Sequence, residues 1–284
     1  MANQAEPALR NISDTALWVA VYRARETDKA KPLFRDPFAR RLAGERGEQI
    51  ARDLEQGLRH EWPYIARTLR FDQIVTEQVK RGVDLVVNLA AGLDTRPYRM
   101  DLPASLKWVE VDLPAMIEYK EEILRGEKPR CALERIRLDL TDIAARRELF
   151  ARLSSNSRKV LILTEGLLVY LTRDEVTALG RDLSAQPGFR EWAIDICSPG
   201  LLKMLQDNLS ALEKAGSPLK FGPEEGPDFF NDSGWKAVGV YSMLKTAAEI
   251  KRLSFGMRLL ALLPESKGRQ GSRPWGAVCR LTRI

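Results

Sequence analysis

The stretch Asp84-Leu85-Val86-Val87-Asn88-Leu89-Ala90-Ala91-Gly92-Leu93-Asp94-Thr95-Arg96 decides the fold. Its first seven residues form an apolar run closed by Ala91-Gly92, which reads as a buried strand and a tight turn, with helix-compatible sequence after it. A glycine in such a turn lets a ligand approach the backbone at the carboxyl edge of the first strand, where open α/β sheets place their ligands. The dinucleotide fingerprint G-x-G-x-x-G is not met, because Ala90 stands at its first position and Thr95 at its third. NAD is therefore disfavoured. Asp94 inside the loop would repel phosphates and suits a cationic or zwitterionic ligand; the same residue also suits a plain helix N-cap.

Working outward, Leu106 to Val111, Glu134 to Leu138, Lys159 to Thr164 and Glu191 to Ile196 read as further strands, separated by amphipathic segments such as Pro114 to Arg125 and Arg173 to Ser184. This alternation predicts a mainly parallel sheet covered on both faces. Trp235 to Tyr241 and Trp275 to Arg283 complete seven strands, and a C-terminal strand slipped into a parallel sheet is the architecture of the common methyltransferase fold. The expected class is α/β: a class I methyltransferase Rossmann-like sheet of seven strands, with helices on both faces, an N-terminal helical extension and a lid insertion. Residues 1–82 form the expected helical cap, on the evidence of Ile65, Leu69, Ile74 and Val79 at helical steps. Residues 83–284 form the Rossmann-like domain, and the two make one structural unit. The helical stretch from Ser198 to about Ala215 and the Gly/Pro-rich run Gly216 to Pro227 place the lid at about 198–233. Ser266 to Ser272 reads as a mobile polar loop.

Composition excludes several classes. Of 284 residues, 44% are hydrophobic and 30% charged, the balance of a globular protein rather than a disordered or disulfide-scaffolded one. No apolar run approaches a membrane span, and the start, Met1-Ala2-Asn3-Gln4-Ala5-Glu6, lacks a signal-peptide layout, so the expected location is the cytoplasm. Cys131, Cys197 and Cys279 are scattered and odd in number, which fits buried thiols rather than zinc or disulfides. With His60 the sole histidine, His-rich metal centres cannot be built, and any Ser-His-Asp or Cys-His triad would have to use that residue. No metal is expected. The net charge of +6 is spread among acidic residues without a basic tract, so nucleic-acid binding is disfavoured as well.

Acidic residues recur at the ends of the strands. The second strand ends Val109-Glu110-Val111-Asp112-Leu113-Pro114, placing Asp112 twenty positions after Gly92, the offset at which a carboxylate accepts hydrogen bonds from ribose hydroxyls. Taken alone Asp112 suits an N-cap equally well; together with the preceding turn it implies a nucleoside. Asp139 closes the third strand, where it can accept the adenine amino group while Leu140 packs on the ring. Glu165 follows four apolar residues, a costly place for a carboxylate unless it is paired, although it also suits a helix start.

Taken together, these residues give a sequence that resembles the leucine carboxyl methyltransferase family, including its bacterial and mycobacterial S-adenosylmethionine-dependent branch. The resemblance rests on NLAAGLDTRPYR (Asn88 to Arg99), VEVDLP (Val109 to Pro114), TEGLLVYL (Thr164 to Leu171), and Tyr22-Arg23-Ala24 followed by LFRDPFA (Leu33 to Ala39). It spans roughly residues 11 to 200. It implies S-adenosyl-L-methionine as cofactor, with S-adenosyl-L-homocysteine as product. It also implies that Arg67 holds the methionine carboxylate, that Ala90, Gly92 and Asp94 form the cofactor loop, and that Asp112 binds the ribose. Asp139 and Leu140 would contact adenine, and Glu165 would lie beside the amino group. Some members have Gly where Ala90 stands. The phosphatase-directed members carry an arginine just after the Asp-Leu pair, where this sequence has Thr141, which counts against a protein C-terminus as substrate.

The expected reaction is direct in-line O-methylation of a carboxylate or hydroxyl of a small-molecule acceptor. A carboxylate, with a pKa of about 4, is already ionised and needs no general base, whereas a phenol, at about 10, usually needs one. Because the sole histidine lies in the helical extension, the balance tilts toward carboxyl methylation, with Tyr170 and Arg23 as acceptor contacts. Two other readings are a protein C-terminal carboxyl methyltransferase and a non-catalytic nucleoside- or cofactor-binding protein.

Overall fold

The computed structural model describes residues 13–55, 61–209, 213, 216–265 and 269–284. Three helices come first: α1 (Ser13–Thr27), α2 (Ala39–Glu55), broken at Gly44 by a left-handed φ of 58°, and α3 (Trp62–Lys80), with Pro63 in its first turn. The sheet follows in the order β3-β2-β1-β4-β5-β7-β6. Its strands are β1 (Leu85–Leu89), β2 (Lys107–Asp112), β3 (Ala132–Arg137), β4 (Val160–Thr164), β5 (Phe189–Cys197), β6 (Trp235–Ser242) and β7 (Gly276–Arg283). β1 to β5 run parallel, and β7 lies antiparallel between β5 and β6. All seven strands read from the sequence are present, each within a few residues of its expected span.

The helices between strands are α4 (Arg96–Arg99), α5 (Pro114–Ile123), α6 (Ile143–Ser155), α7 (Arg173–Ser184) and α8 (Pro199–Asn208), followed late in the chain by α9 (Met243–Glu249) and α10 (Phe255–Ala261). Burial explains the order of the strands. β1 and β4 are buried at every position and stand at the centre, whereas β3, an edge, alternates exposed and partly buried residues. The outer edge β6 also alternates, and Lys236 and a bulge near Val238 blunt it. α9 and α10 were not anticipated. Their apolar residues follow no single stripe, because Phe255, Leu259 and Leu262 point outward while Ala261 is buried against Ala66 and Ala247.

The N-terminal helices are fused to the sheet half by packing and by charge. Trp18, Tyr22 and Tyr64 form an aromatic cluster with ring centroids 4.9–5.7 Å apart, and the same core continues into Leu93, Tyr98 and Met116. Residues 216–233, expected within a lid, are tied down. Lys220 and Phe221 donate backbone hydrogen bonds to the Val169 carbonyl, and Phe221 and Phe230 are buried in the main core. Gln270, in the loop before β7, donates its backbone N–H to the Glu224 carbonyl. His60 and residues 266–268 of the expected mobile loop lie outside the described residues.

Candidate functional site

A cavity of about 1190 Å³ opens over the carboxyl ends of the parallel strands. All ten residues singled out in the sequence line it: Arg23, Arg67, Ala90, Gly92, Asp94, Asp112, Asp139, Leu140, Glu165 and Tyr170. The parallel register explains the convergence, since Asn88 pairs with Glu110 on one side and Leu163 on the other, bringing the residues that follow each strand to one rim.

The turn after β1 is built for close approach. Ala90 and Gly92 both hold left-handed backbone, with φ of 52° and 49°. A side chain at Gly92 would meet Ala16 of α1 at 3.5 Å, so the helical cap roofs the loop. Asp112 fastens this turn from below: Gly92 N–H donates to its Oδ2 at 2.6 Å and Leu113 N–H to its Oδ1 at 2.7 Å. Burial pushes the Asp112 carboxyl up, against these two hydrogen bonds. Asp94 accepts from Arg96 N–H at 2.9 Å and from Asn88 Nδ2 at 2.8 Å, holding the turn before α4 while lining the cavity; the N-cap position of α4 is Thr95, not Asp94. Burial alone would raise it, but Arg96 and Lys120 outweigh that and hold it below the usual carboxylate range.

Arg67 and Arg96 organise the floor. Arg67 Nε donates to Glu165 Oε1 at 3.2 Å and its Nη1 to Asp195 Oδ2 at 3.0 Å, while the guanidinium lies over the Tyr64 ring. Arg96 reaches Asp72 at 2.7 Å, Asp94 at 3.0 Å and Glu165 at 2.8 Å with its side chain only 3% exposed. Arg99 adds a two-pronged pair with Asp72, both contacts at 2.7 Å. Asp195 accepts the Gly166 N–H at 2.7 Å; burial raises its carboxyl, partly offset by Arg67. Gly166 is left-handed at φ 71°, and a Cβ there would press on the Arg67 guanidinium at 3.3 Å. Four carboxylates (Asp72, Asp94, Glu165, Asp195) and three guanidiniums (Arg67, Arg96, Arg99) thus interlock in one network, which offers both signs of charge to a zwitterionic ligand.

Asp139 sits on the exposed rim, its Oδ1 accepting from Thr141 N–H and Oγ1, beside the half-buried Leu140. Tyr170 is hydrogen-bonded with Thr15, and burial pushes its phenol up, so it stays neutral. Arg23 is engaged from two sides: Nε donates to Asp36 at 2.9 Å and Nη2 to the Leu93 carbonyl at 2.6 Å, while Thr95 Oγ1 also donates to Asp36. These contacts clamp α1 to the loop after β1, while Arg23 also lines the cavity.

Arg96, Asp195, Asp72 and Arg99 were not singled out as site residues. Asp195 carried the same signal as Glu165, a carboxylate at the carboxyl end of an apolar strand, and Arg96 stood in the quoted turn two residues after Asp94. Asp72 gave none, because a lone aspartate on an amphipathic helix has no periodic or spacing signature.

The leucine carboxyl methyltransferase family model matches residues 16–184 of this chain. A Frankia alni protein named "putative S-adenosyl-L-methionine-dependent methyltransferase" is 29% identical over 250 residues, 83% of this chain and 86% of its own. A protein of the same name from Mycobacterium marinum is 31% identical over 80% of this chain and 71% of its own. The fold is similar to that of a DUF574 family protein from Streptomyces avermitilis, with a TM-score of 0.61 and 15% identity over 92% of this chain and 96% of that one. It is also similar to a "putative methyltransferase" from Thermobifida fusca, with a TM-score of 0.58 and 17% identity over 97% and 96% of the two chains.

Proposed function

Because the chain belongs to the leucine carboxyl methyltransferase family and is an S-adenosyl-L-methionine-dependent methyltransferase, we propose that it methylates an oxygen of a small-molecule acceptor, a carboxylate before a hydroxyl. The carrying observation is the convergence of the turn after β1, Asp112, Glu165 and Asp195 on one cavity. The donor set fits the cofactor. It offers carboxylates, Glu165 and Asp94, for an ammonium and a guanidinium, Arg67, for a carboxylate, the two charges of an amino-acid moiety. When bound, S-adenosylmethionine would supply an electrophilic methyl carbon, from which the acceptor oxygen displaces the thioether in line.

The roles follow from chemistry and position. Arg67 uses Nε and Nη1 within the floor, and its remaining Nη2 makes no hydrogen bond among the described residues; that nitrogen would take the amino-acid carboxylate. Glu165 and Asp94 would face the ammonium. Asp112 would accept the ribose hydroxyls, with Ala90 and Gly92 giving backbone access, and Asp139 with Leu140 would frame the adenine at the rim. Tyr170, a neutral phenol lining the cavity, would donate to the acceptor oxygen. Catalysis then consists of alignment and exclusion of water by an enclosing apolar wall, with no proton to remove from an ionised acid. Among the described residues no helix is long and apolar enough to cross a membrane.

The test is turnover with S-adenosylmethionine against matched panels of carboxylic acids, phenols and peptide C-termini, reading S-adenosylhomocysteine and the methylated product. Methyl esters of small acids are expected. Methylation confined to phenols would move the reaction to hydroxyls, and methylation confined to peptides would restore the protein-directed reading.

A further inference from the structure

The cavity is larger than one ligand requires. Small-molecule sites typically measure about 300–1,000 Å³, and this one, at about 1190 Å³, is divided by chemistry. The ionised groups of the floor gather at the ends of β1, β2, β4 and β5. The opposite wall comes from α8, α9, α10 and the chain entering β7, and it is built of Leu201, Leu205, Met243, Met257, Leu260 and Trp275 with their apolar neighbours.

Three charged residues line the cavity from that side, and all are spoken for at its edge. Lys245 faces Glu265 at 3.7 Å, both partly exposed, and Arg273 Nη1 donates to the Pro264 carbonyl at 2.9 Å. Helix α10 presents apolar residues on both faces. Met257, Leu260 and Ala261 turn to the cavity, while Phe255, Leu259 and Leu262 are 78%, 54% and 80% exposed. The cofactor's polar groups have no use for such a wall. On the cavity side Leu260 is 49% exposed and its neighbours Leu201, Leu205, Met243, Met257 and Trp275 are half-buried, an apolar surface that an apolar body would cover favourably.

Resting on the methyltransferase reading above, we infer that the acceptor is a carboxylic acid carried on an extended hydrocarbon body, lying along this wall with its carboxylate toward the strand ends. The acid oxygen forms the new bond to the methyl carbon as the sulfur–methyl bond breaks. The sulfur retains the bonding pair and becomes the neutral thioether of S-adenosylhomocysteine. The acid is already ionised, so no proton is transferred.

The test uses the full chain and the sodium salts of butyrate, octanoate and dodecanoate at saturating S-adenosylmethionine, with methyl esters quantified by gas chromatography. S-adenosylhomocysteine binding is measured separately by calorimetry. Burial of about 0.8 kcal/mol per methylene corresponds to about a fourfold gain per carbon, so kcat/KM is expected to climb steeply from butyrate to octanoate and to flatten once the wall is covered. Leu260→Asp, at a half-exposed position that tolerates a charge in the folded state, should raise KM for dodecanoate at least tenfold without changing the S-adenosylhomocysteine affinity. Normal S-adenosylhomocysteine binding with no ester from any alkanoate, or with kcat/KM independent of chain length, overturns the inference and leaves the methyltransferase reading standing. No binding of S-adenosylhomocysteine by folded protein overturns both.

Discussion

Ala90 holds a left-handed φ of 52°, a conformation that costs an L residue about 1–2 kcal/mol. Ala90→Gly should therefore stabilise the folded state by up to about 1 kcal/mol after the extra chain entropy of glycine is subtracted. That is a rise in Tm of roughly 2 °C for a chain of this size, and a fall in Tm would show that the methyl group contributes packing instead. Arg96 is the more exacting position. Its truncation leaves Asp72, Asp94 and Glu165 without their shared cation, and breaking a buried pair in this way costs about 3–5 kcal/mol. Urea unfolding of Arg96→Ala reads that loss; a change below about 1 kcal/mol would mean that the floor re-pairs around the gap. Asp112 supplies a pH prediction. It works as an anion accepting hydrogen bonds, and burial has raised its pKa, so acidification protonates it at a higher pH than an ordinary aspartate at about 3.9. Affinity for S-adenosylhomocysteine should accordingly fall as pH drops through that raised pKa, and Asp112→Ala should abolish this dependence. Flat affinity down to about pH 4 in the unaltered chain would remove Asp112 from the site. At this scale the sequence was legible at Asp112 and Glu165, carboxylates at apolar strand ends, although the same signal at Asp195 went unused. The pairing of Arg23 was not legible, because its partner Asp36, thirteen residues away, is revealed only by the packing of α1 on the chain that follows it.

Among the elements, strands were legible because burial on both faces leaves a mostly apolar run, as in Leu85 to Leu89 and Val160 to Thr164. The short helices α9 and α10 were not, since seven residues complete barely two turns and their apolar positions serve two surfaces at once. The position of residues 216–233 was illegible for another reason. A Gly/Pro-rich composition announces irregular backbone but not the hydrogen bonds to Val169 or the burial of Phe230 that fix it. The seam between α8 and the chain before β7 offers a direct probe. A Cβ on Gly200 would stand 2.0 Å from the Ser272 carbonyl oxygen, so backbone must move to admit it. Gly200→Ala should cost about 1–3 kcal/mol of stability, and because this seam frames the apolar wall, it should raise acceptor KM more than it weakens cofactor binding. Unchanged stability would mean that the two segments do not meet in solution.

Over the whole molecule, polarity is sorted by location. The three thiols are buried and held protonated, with Cys131 pushed up to about 11 and Cys197 to about 12 by burial, so none is poised as a nucleophile. Ionised groups concentrate at the carboxyl rim of the sheet, where α1 and α3 close over them, and apolar surface gathers where the last third of the chain returns across the opening. That last third lies beyond residues 16–184, where the family model matches. The central claim is that the rim holds a nucleoside sulfonium. Isothermal titration calorimetry of the folded chain with S-adenosylmethionine and S-adenosylhomocysteine, and with NAD as the control, tests it most directly. One site per chain with micromolar affinity for the first two and no heat from NAD is the expected result; NAD binding, or no binding of either adenosyl ligand, would contradict it.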